Sequence, residues 1–482
     1  MQVLILVPNI PDMNIVLIFL KKCFHVVIDV VHSQLTNSRY LKIWMRTKYG
    51  KNSIVIGTKK SIFLPFLKLG LIIVNQEHSL SYKSTNRCRY NSRDIGILRA
   101  YKEKIPIILD SDSPSLKTLY NIFRKKCFYV ELTTYNRIFY KKYNIIDLKR
   151  ERIQSGLTDT LINEVHHSLK KECQVLLLFN KFSISFLVLT CNTCQWVAKC
   201  YICRDYYEVN VYRNILLCKF CLIKVELPVF CHHCKSVNLI ISDIGIKKIK
   251  NTIHNTFSNI SILFLFNQKD IYNIKLLKTR IPKSCIILST EKLVKHFNFS
   301  CVKLVSLINI DHYFSSFNFR SIEYFAQFYI NLNQFFRKST KSLKILIQTS
   351  YANNIYLKDL CNNGYFSFAR SMLFIRKKFL LPPWQVQSIF YSESLNIYKN
   401  IIFLNLVRAI LKKKSKKNNI FISLIGPHPC FLWNDKKHVF FKLLIQASSR
   451  VDLNNLLNES INIIRYFEIS RTVNWFIDID PY

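Results

Sequence analysis

Short apolar runs that alternate with lysine-rich helical stretches predict an α/β fold built on parallel sheets. Four C-x2-C pairs near the middle predict a metal-held insert within it. A third observation bounds the chemistry: only 8 of 482 residues are glycine, and no two of them lie within six positions of each other. Neither G-x-G-x-x-G nor G-x-x-x-x-G-K-[ST] can therefore occur. The only Gly-Lys pair, Gly50-Lys51, has Met45 where a phosphate loop has its first glycine and Asn52 where it has Ser or Thr.

The first alternating region has apolar runs at 3–7, 53–56, 71–74 and 105–109, with helical periodicity over 35–47 and 94–104. Residues 130–160 are charged, polar and weakly patterned, and read as a linker. The stretch 173–191 is the most membrane-like, but Asn180 and Lys181 sit midway along it. A spanning helix tolerates Lys poorly there, so two buried strands joined by a turn fit better. A second alternating region has apolar runs at 175–179, 262–266, 286–288, 304–308 and 345–347, and the basic run 412–417 separates the last elements. The apolar start is interrupted by Pro8, Asn9, Pro11 and Asp12 with no basic segment before it, so no secretory leader is expected.

Lys and Arg number 70 against 29 Asp and Glu, a net charge of +41. A polyanion, nucleic acid first, is the expected partner. The abundance of Lys, Asn, Ile, Phe and Tyr also suits A+T-rich codons, so charge alone does not name that partner. Half of the 16 cysteines fall within 191–234 and the rest are scattered. That distribution in a long chain predicts reduced thiols in a cytosol rather than a disulfide scaffold.

The cysteine pairs are 191/194, 200/203, 218/221 and 231/234. Each C-x2-C places two thiolates on one tight turn, and a tetrahedral Zn²⁺ takes four, so the pairs predict two structural four-cysteine sites. Spacing leaves the pairing open: neighbouring pairs could share an ion, or the outer pairs could enclose the inner ones. His232 and His233 are expected to be solvated rather than ligands.

With Gln195-Trp196 after the first pair and Tyr206-Tyr207 after the second, this region resembles the zinc region of the PriA (primosomal protein N′) family, the replication-restart helicases of superfamily 2. The resemblance is collinear along the chain. VHSQL (31–35), IVIGTKKSIFLPF (54–66), LGLIIVNQEHSLSYK (69–83), RYNSRD (89–94) and SDSPS (111–115) resemble the family's first lobe. FRSIEYFAQFY (319–329) and LIQTS (346–350) resemble the second. LPPW (381–384), IGPHPC (425–430), LLIQASSRVDL (443–453) and VNWFIDIDP (473–481) resemble the C-terminal domain.

The resemblance implies two RecA-like helicase lobes, a two-zinc, eight-cysteine insert and an α/β C-terminal domain. The expected boundaries are lobe 1 over 1–135, a linker over 136–160, lobe 2 over 161–360 with the insert at 191–234, and the last domain over 361–482. It implies one zinc on Cys191, Cys194, Cys231 and Cys234 and a second on Cys200, Cys203, Cys218 and Cys221. The implied partners are forked or single-stranded DNA, primosome proteins and single-strand-binding protein, in the cytoplasm with the nucleoid and without a membrane.

Departures fall on the ATP site. The family's phosphate loop precedes the strand with which this chain opens, so lobe 1 is expected to lack it. The D-E-E-H box reads Asn75-Gln76-Glu77-His78. Asn75 lacks the anionic oxygens that Mg²⁺ prefers, and Gln76 cannot act as a carboxylate. The S-A-T-P-S motif reads Ser111 to Ser115 with Asp112 and Ser113 in its middle. The G-T-Q-M-x-x-K-G motif runs from Ser289 to His296, keeping Lys295. In the family's Q-V-A-G-R-A-G-R motif the two arginine positions hold Phe335 and Lys338. Lys338 lacks the planar fork of arginine. The box and these two lysines are therefore read as vestigial, and ATP with Mg²⁺ as poorly supported. The expected protein binds DNA in replication restart with ATP hydrolysis impaired or lost; an active ATP-dependent 3′–5′ helicase and a decaying remnant are the alternatives.

Three further readings come from single residues. Trp384 is expected to pack the start of a domain. Asp478 and Asp480 alternate with Ile477 and Ile479, which predicts a solvated strand face. The run 412–417 reads equally as a solvated loop or a phosphate contact.

Overall fold

The computed structural model describes residues 1–86, 88–131, 142–154, 156–179, 187–194, 196–201, 206–211, 214–218, 223–243, 246–266, 282–294, 301–308, 310–316, 318–335, 343–430 and 439–481. Two compact units emerge: Met1–Tyr129 with Leu373–His428 and Lys437–Tyr482, and Val130–Met372 with Pro429–Lys436.

The first unit contains a parallel sheet in the order Ile28–Val31, Ile54–Gly57, Gln2–Leu6, Leu69–Val74, Ile107–Leu109. Continuous apolar runs suit strands covered on both faces. The chain leaves the central strand Gln2–Leu6 for one side, then returns to the other. Loops following Leu6 and Val74 therefore lie at a topological switch point, where open α/β sheets place their ligands. Helices Ile10–Cys23, Ser92–Glu103 and Leu116–Phe123 begin at the side-chain caps Asn9, Asn91 and Ser115.

The same unit holds a β-α-β-β-α-β layer: Val386–Ser394, helix Ile397–Lys417, Ile422–Cys430, Val439–Ala447, helix Arg450–Ile464 and Asn474–Ile479. Its sheet order, Ile422–Cys430, Val439–Ala447, Val386–Ser394, Asn474–Ile479, is that of a split βαβ fold. Phe390, Leu443 and Ile445 face the two helices and pack on Phe403, Val407, Leu411 and Leu456. The run 412–417 is no loop. Phe403, Val407, Leu411 and Ser415 keep one buried stripe at i, i+4 spacing, so the helix continues through the lysines to Lys417.

Asp478 does not lie on a solvated face. The alternation is as expected, with Ile477 and Ile479 toward the helices. The opposite face is covered by loops of the first sheet, and Asp478 is only 4% exposed. Trp384 packs on Tyr120, ring centroids 4.8 Å apart.

The second unit is built on six parallel strands in the order Ile262–Leu265, Ile286–Thr290, Gln174–Phe179, Val302–Ile308, Lys344–Thr349, Lys142–Asp147. Lys142–Asp147 falls in the stretch that reads as a linker, yet it pairs along Lys344–Thr349 as an edge strand. Within 173–191 the strands are Gln174–Phe179 and Leu187–Cys191; the expected turn between them lies outside the described residues. Leu187–Cys191 pairs antiparallel with Leu239–Asp243 as a two-stranded neck. Beyond it, Tyr207–Asn210, Ile215–Cys218 and Lys224–Glu226 form a small meander. Among the described residues, no helix is long and apolar enough to cross a membrane.

Candidate metal centre and the altered box

The neck strand ends on Cys191, and its partner there is Leu239. A turn brings Cys194 back beside it, while a second turn carries Cys231 and Cys234. The four sulfurs lie within 4.8 Å of one another. Cys191 Sγ is 3.5 Å from Cys234 Sγ, and Cys194 Sγ is 3.6 Å from Cys231 Sγ. Four sulfurs about 2.3 Å from one tetrahedral centre sit roughly 3.8 Å apart, so the donor set fits a metal ion. All four cysteines are free of disulfides. The His233 N–H donates to Cys231 Sγ at 3.3 Å. The backbone N–H of Cys194 leads in holding the Cys191 thiol down to about 6, whereas burial pushes Cys194 up to about 12. Metal ligation takes cysteine as thiolate, and a divalent ion at the centre would offset the charge of the converging sulfurs. His232 is exposed, 5.7 Å from the Trp196 ring.

Only half of the inner set can be placed. Cys200 and Cys218 are buried in a small core with Leu189, Ala198, Tyr207, Val209 and Leu216. Cys218 lies directly across the ladder from Tyr207. Burial, then Cys200 and Cys218, raise the Tyr207 hydroxyl above its usual range. Cys203 and Cys221 lie outside the described residues, as do Lys295 and Lys338.

The box follows strand Leu69–Val74 at the switch point. The Asn75 amide donates to Asp110 Oδ2 at 2.9 Å. Gln76 adopts φ +49°, in the left-handed region, which turns the chain sharply. Glu77, 2% exposed, accepts from the Ser115 N–H at 2.5 Å, the Ser115 hydroxyl at 3.1 Å and Arg93 Nη1 at 2.8 Å. Its carboxylate thereby caps helix Leu116–Phe123 and neutralises Arg93. His78 Nδ1 is 2.6 Å from Ser111 Oγ. The Tyr82 hydroxyl donates to Leu6 O at 3.0 Å and Asn75 O at 2.5 Å. Burial, then Asp12, Glu77 and Asp110, push that hydroxyl well up, so it stays a donor. Arg93 is not singled out by the sequence reading; its signal is its place in RYNSRD (89–94), a run that resembles the family's first lobe.

No family model matches the chain. The replication restart protein PriA of Buchnera aphidicola subsp. Acyrthosiphon pisum (strain APS) is 57% identical over 484 residues, covering 100% of this chain and 66% of that protein. PriA of Buchnera aphidicola subsp. Schizaphis graminum (strain Sg) is 53% identical over 486 residues, covering 100% and 68%. PriA of Haemophilus influenzae is 31% identical over 487 residues. The chain spans about two thirds of the length of these relatives, between 66% and 68%. Among solved structures, RecG bound to a three-way DNA junction matches 77% of this chain and 40% of its own at 10% identity, with a TM-score of 0.40, too low to carry an argument. A relative 53% identical along the full chain, of which the chain spans 68%, settles the lineage: this chain belongs to the PriA family of replication restart proteins.

Proposed function

We propose that the chain acts in replication restart by binding forked or single-stranded DNA, with its ATPase step weak or lost. The observation that carries this reading is 53% identity over the full chain to a replication restart protein of which it spans 68%. The net charge of +41 favours a phosphate-rich partner. Primosome proteins and single-strand-binding protein are the protein partners we infer, in the cytoplasm at the nucleoid. The weak ATPase follows from the box: Asn75 and Gln76 supply no carboxylate, and Glu77 is engaged with Arg93 and Ser115. A metal needs free anionic oxygens there.

Two Zn²⁺ complete the proposal. Thiolate donors select zinc, and all eight cysteines are kept. The first ion would sit on Cys191, Cys194, Cys231 and Cys234, the second on Cys200, Cys203, Cys218 and Cys221, both structural. The boundaries we propose are 1–135 for lobe 1 and 361–482 for the last domain, with lobe 2 extended back from 161 to take in strand Lys142–Asp147.

One observation favours an active helicase instead: His78 and Ser111 keep a 2.6 Å link between the box and the segment that matches the S-A-T-P-S motif. ATP hydrolysis with forked DNA decides between them. A rate equal to buffer, rising in the Asn75→Asp/Gln76→Glu variant, supports the weakened box. A clear DNA-stimulated rate in the natural sequence rejects it. Fork binding that does not weaken with salt rejects the phosphate-dominated interface.

A further inference from the structure

The loop 79–91 joins the box to the helix bearing Arg93, and the last strand holds it at both ends. Lys83 Nζ lies 2.7 Å from Asp478 Oδ1 and donates to the carbonyls of Ile479 at 2.6 Å and Asp480 at 3.1 Å. Arg89 Nη1 is 3.2 Å from Asp478 Oδ2, and its guanidinium lies 4.4 Å from the Phe476 ring centre. One residue pair further on, Asp480 pairs with Arg450 and, at 3.2 Å, with Lys117. Lys117 is 2.8 Å from Asp94, Asp94 is 3.0 Å from Arg93, and Arg93 is 2.8 Å from Glu77. An unbroken series of charge pairs thus runs from the C-terminal strand to the box.

We propose that Asp478 and Asp480 are positioning residues, through which the C-terminal β-α-β-β-α-β layer fixes the loop 79–91 and the carboxylate of Glu77. Adhesion alone does not require them. Trp384 packs on Tyr120 at 4.8 Å, so apolar contact already joins the layers. A buried ion pair adds little net stability over an apolar pair; what it specifies is geometry. Lys83, at 9% exposed, donates to two carbonyls and lies beside the Asp478 carboxylate, which ties one buried ammonium to three consecutive residues. The inference holds whether or not the box turns over nucleotide. It makes the box sensitive to anything that displaces the last strand.

Hydrogen exchange on the full chain tests it, with Asp480→Asn, Asp480→Glu, Asp478→Asn and the surface control Glu459→Gln. Asp480→Asn should speed exchange about tenfold in 75–78 and at Ser115, whose N–H Glu77 holds, while Gln2–Leu6 and Ile54–Gly57 stay protected. Asp480→Glu should restore protection, Glu459→Gln should change nothing there, and Asp478→Asn should loosen 79–91. Unchanged exchange in 75–78 and at Ser115 overturns the proposal. So does equal acceleration in Gln2–Leu6, which marks plain destabilisation. Lys117→Met probes the same link from the other side should Asp480→Asn fail to fold.

Discussion

The box after Val74 and the outer cysteine set differ in where their polar atoms are aimed. In the box they are spent on one another: Asn75 on Asp110, Glu77 on Arg93 and Ser115, His78 on Ser111. In the cysteine set four sulfurs converge within 4.8 Å of one another. Groups spent on one another serve the fold, and donors that converge on one point serve a ligand. Glu77, the one carboxylate the box retains, is by this measure a keystone of the first sheet's loops rather than a spare catalytic group.

The comparison breaks first at the metal. Cys191→Ser should release one ion and unfold the neck and its knuckles, since a structural zinc supplies roughly 10–16 kcal/mol of folding free energy. Metal analysis of the natural chain should give two zincs and the variant one; fewer than two in the natural chain sinks the two-site reading. Next, Glu77→Gln should cost about 1–3 kcal/mol, because Arg93 keeps Asp94 but loses its charged partner in the box, and Ser115 loses a charged acceptor. Denaturant unfolding reads this directly, and an unchanged midpoint would make Glu77 dispensable to the fold.

Acid gives a smaller effect. Burial alone would raise the Asp94 carboxyl, but Arg93 and Lys117 outweigh it and hold it well below the usual carboxylate range. The folded value lies below the unfolded one, near 3.9, so the stabilisation is complete above about pH 5 and is lost as pH falls toward the folded value. Asp480 is shifted the same way, with Lys117 and Arg450 outweighing its burial. Unfolding measured between pH 5 and 2 should show a shallower acid slope in Asp94→Asn. Smallest of all, Asn75→Asp places a carboxylate against Asp110 and should cost about 1 kcal/mol, recovered by millimolar Mg²⁺. No Mg²⁺ dependence of the melting temperature would mean that the restored pair does not make an ion site.

Most strands of the two parallel sheets were legible because covered strands must be apolar throughout, as at Leu69–Val74 and Gln174–Phe179; the edge strand Ile28–Val31, four residues with Asp29 among them, was not. Lys142–Asp147 was not, since KYNIID on a sheet edge carries too few apolar residues to mark it. Period-2 alternation placed Asp478 on the face opposite Ile477 but says nothing about what covers that face; Lys83 and Arg89 lie almost 400 residues upstream. The cysteine spacing identified the ligand types, while the convergence of Cys191 with Cys234 came from the neck's register.

That neck has an evolutionary consequence. The chain leaves the six-stranded sheet and re-enters it through two strands paired side by side, Leu187–Cys191 and Leu239–Asp243. A module whose ends meet at a fixed short distance can be enlarged, trimmed or exchanged without re-registering the sheet that carries it. The cysteine module is in this sense a plug-in cassette: an ion on its four converging sulfurs would secure it from within, and the host needs only a hairpin's width to accept it.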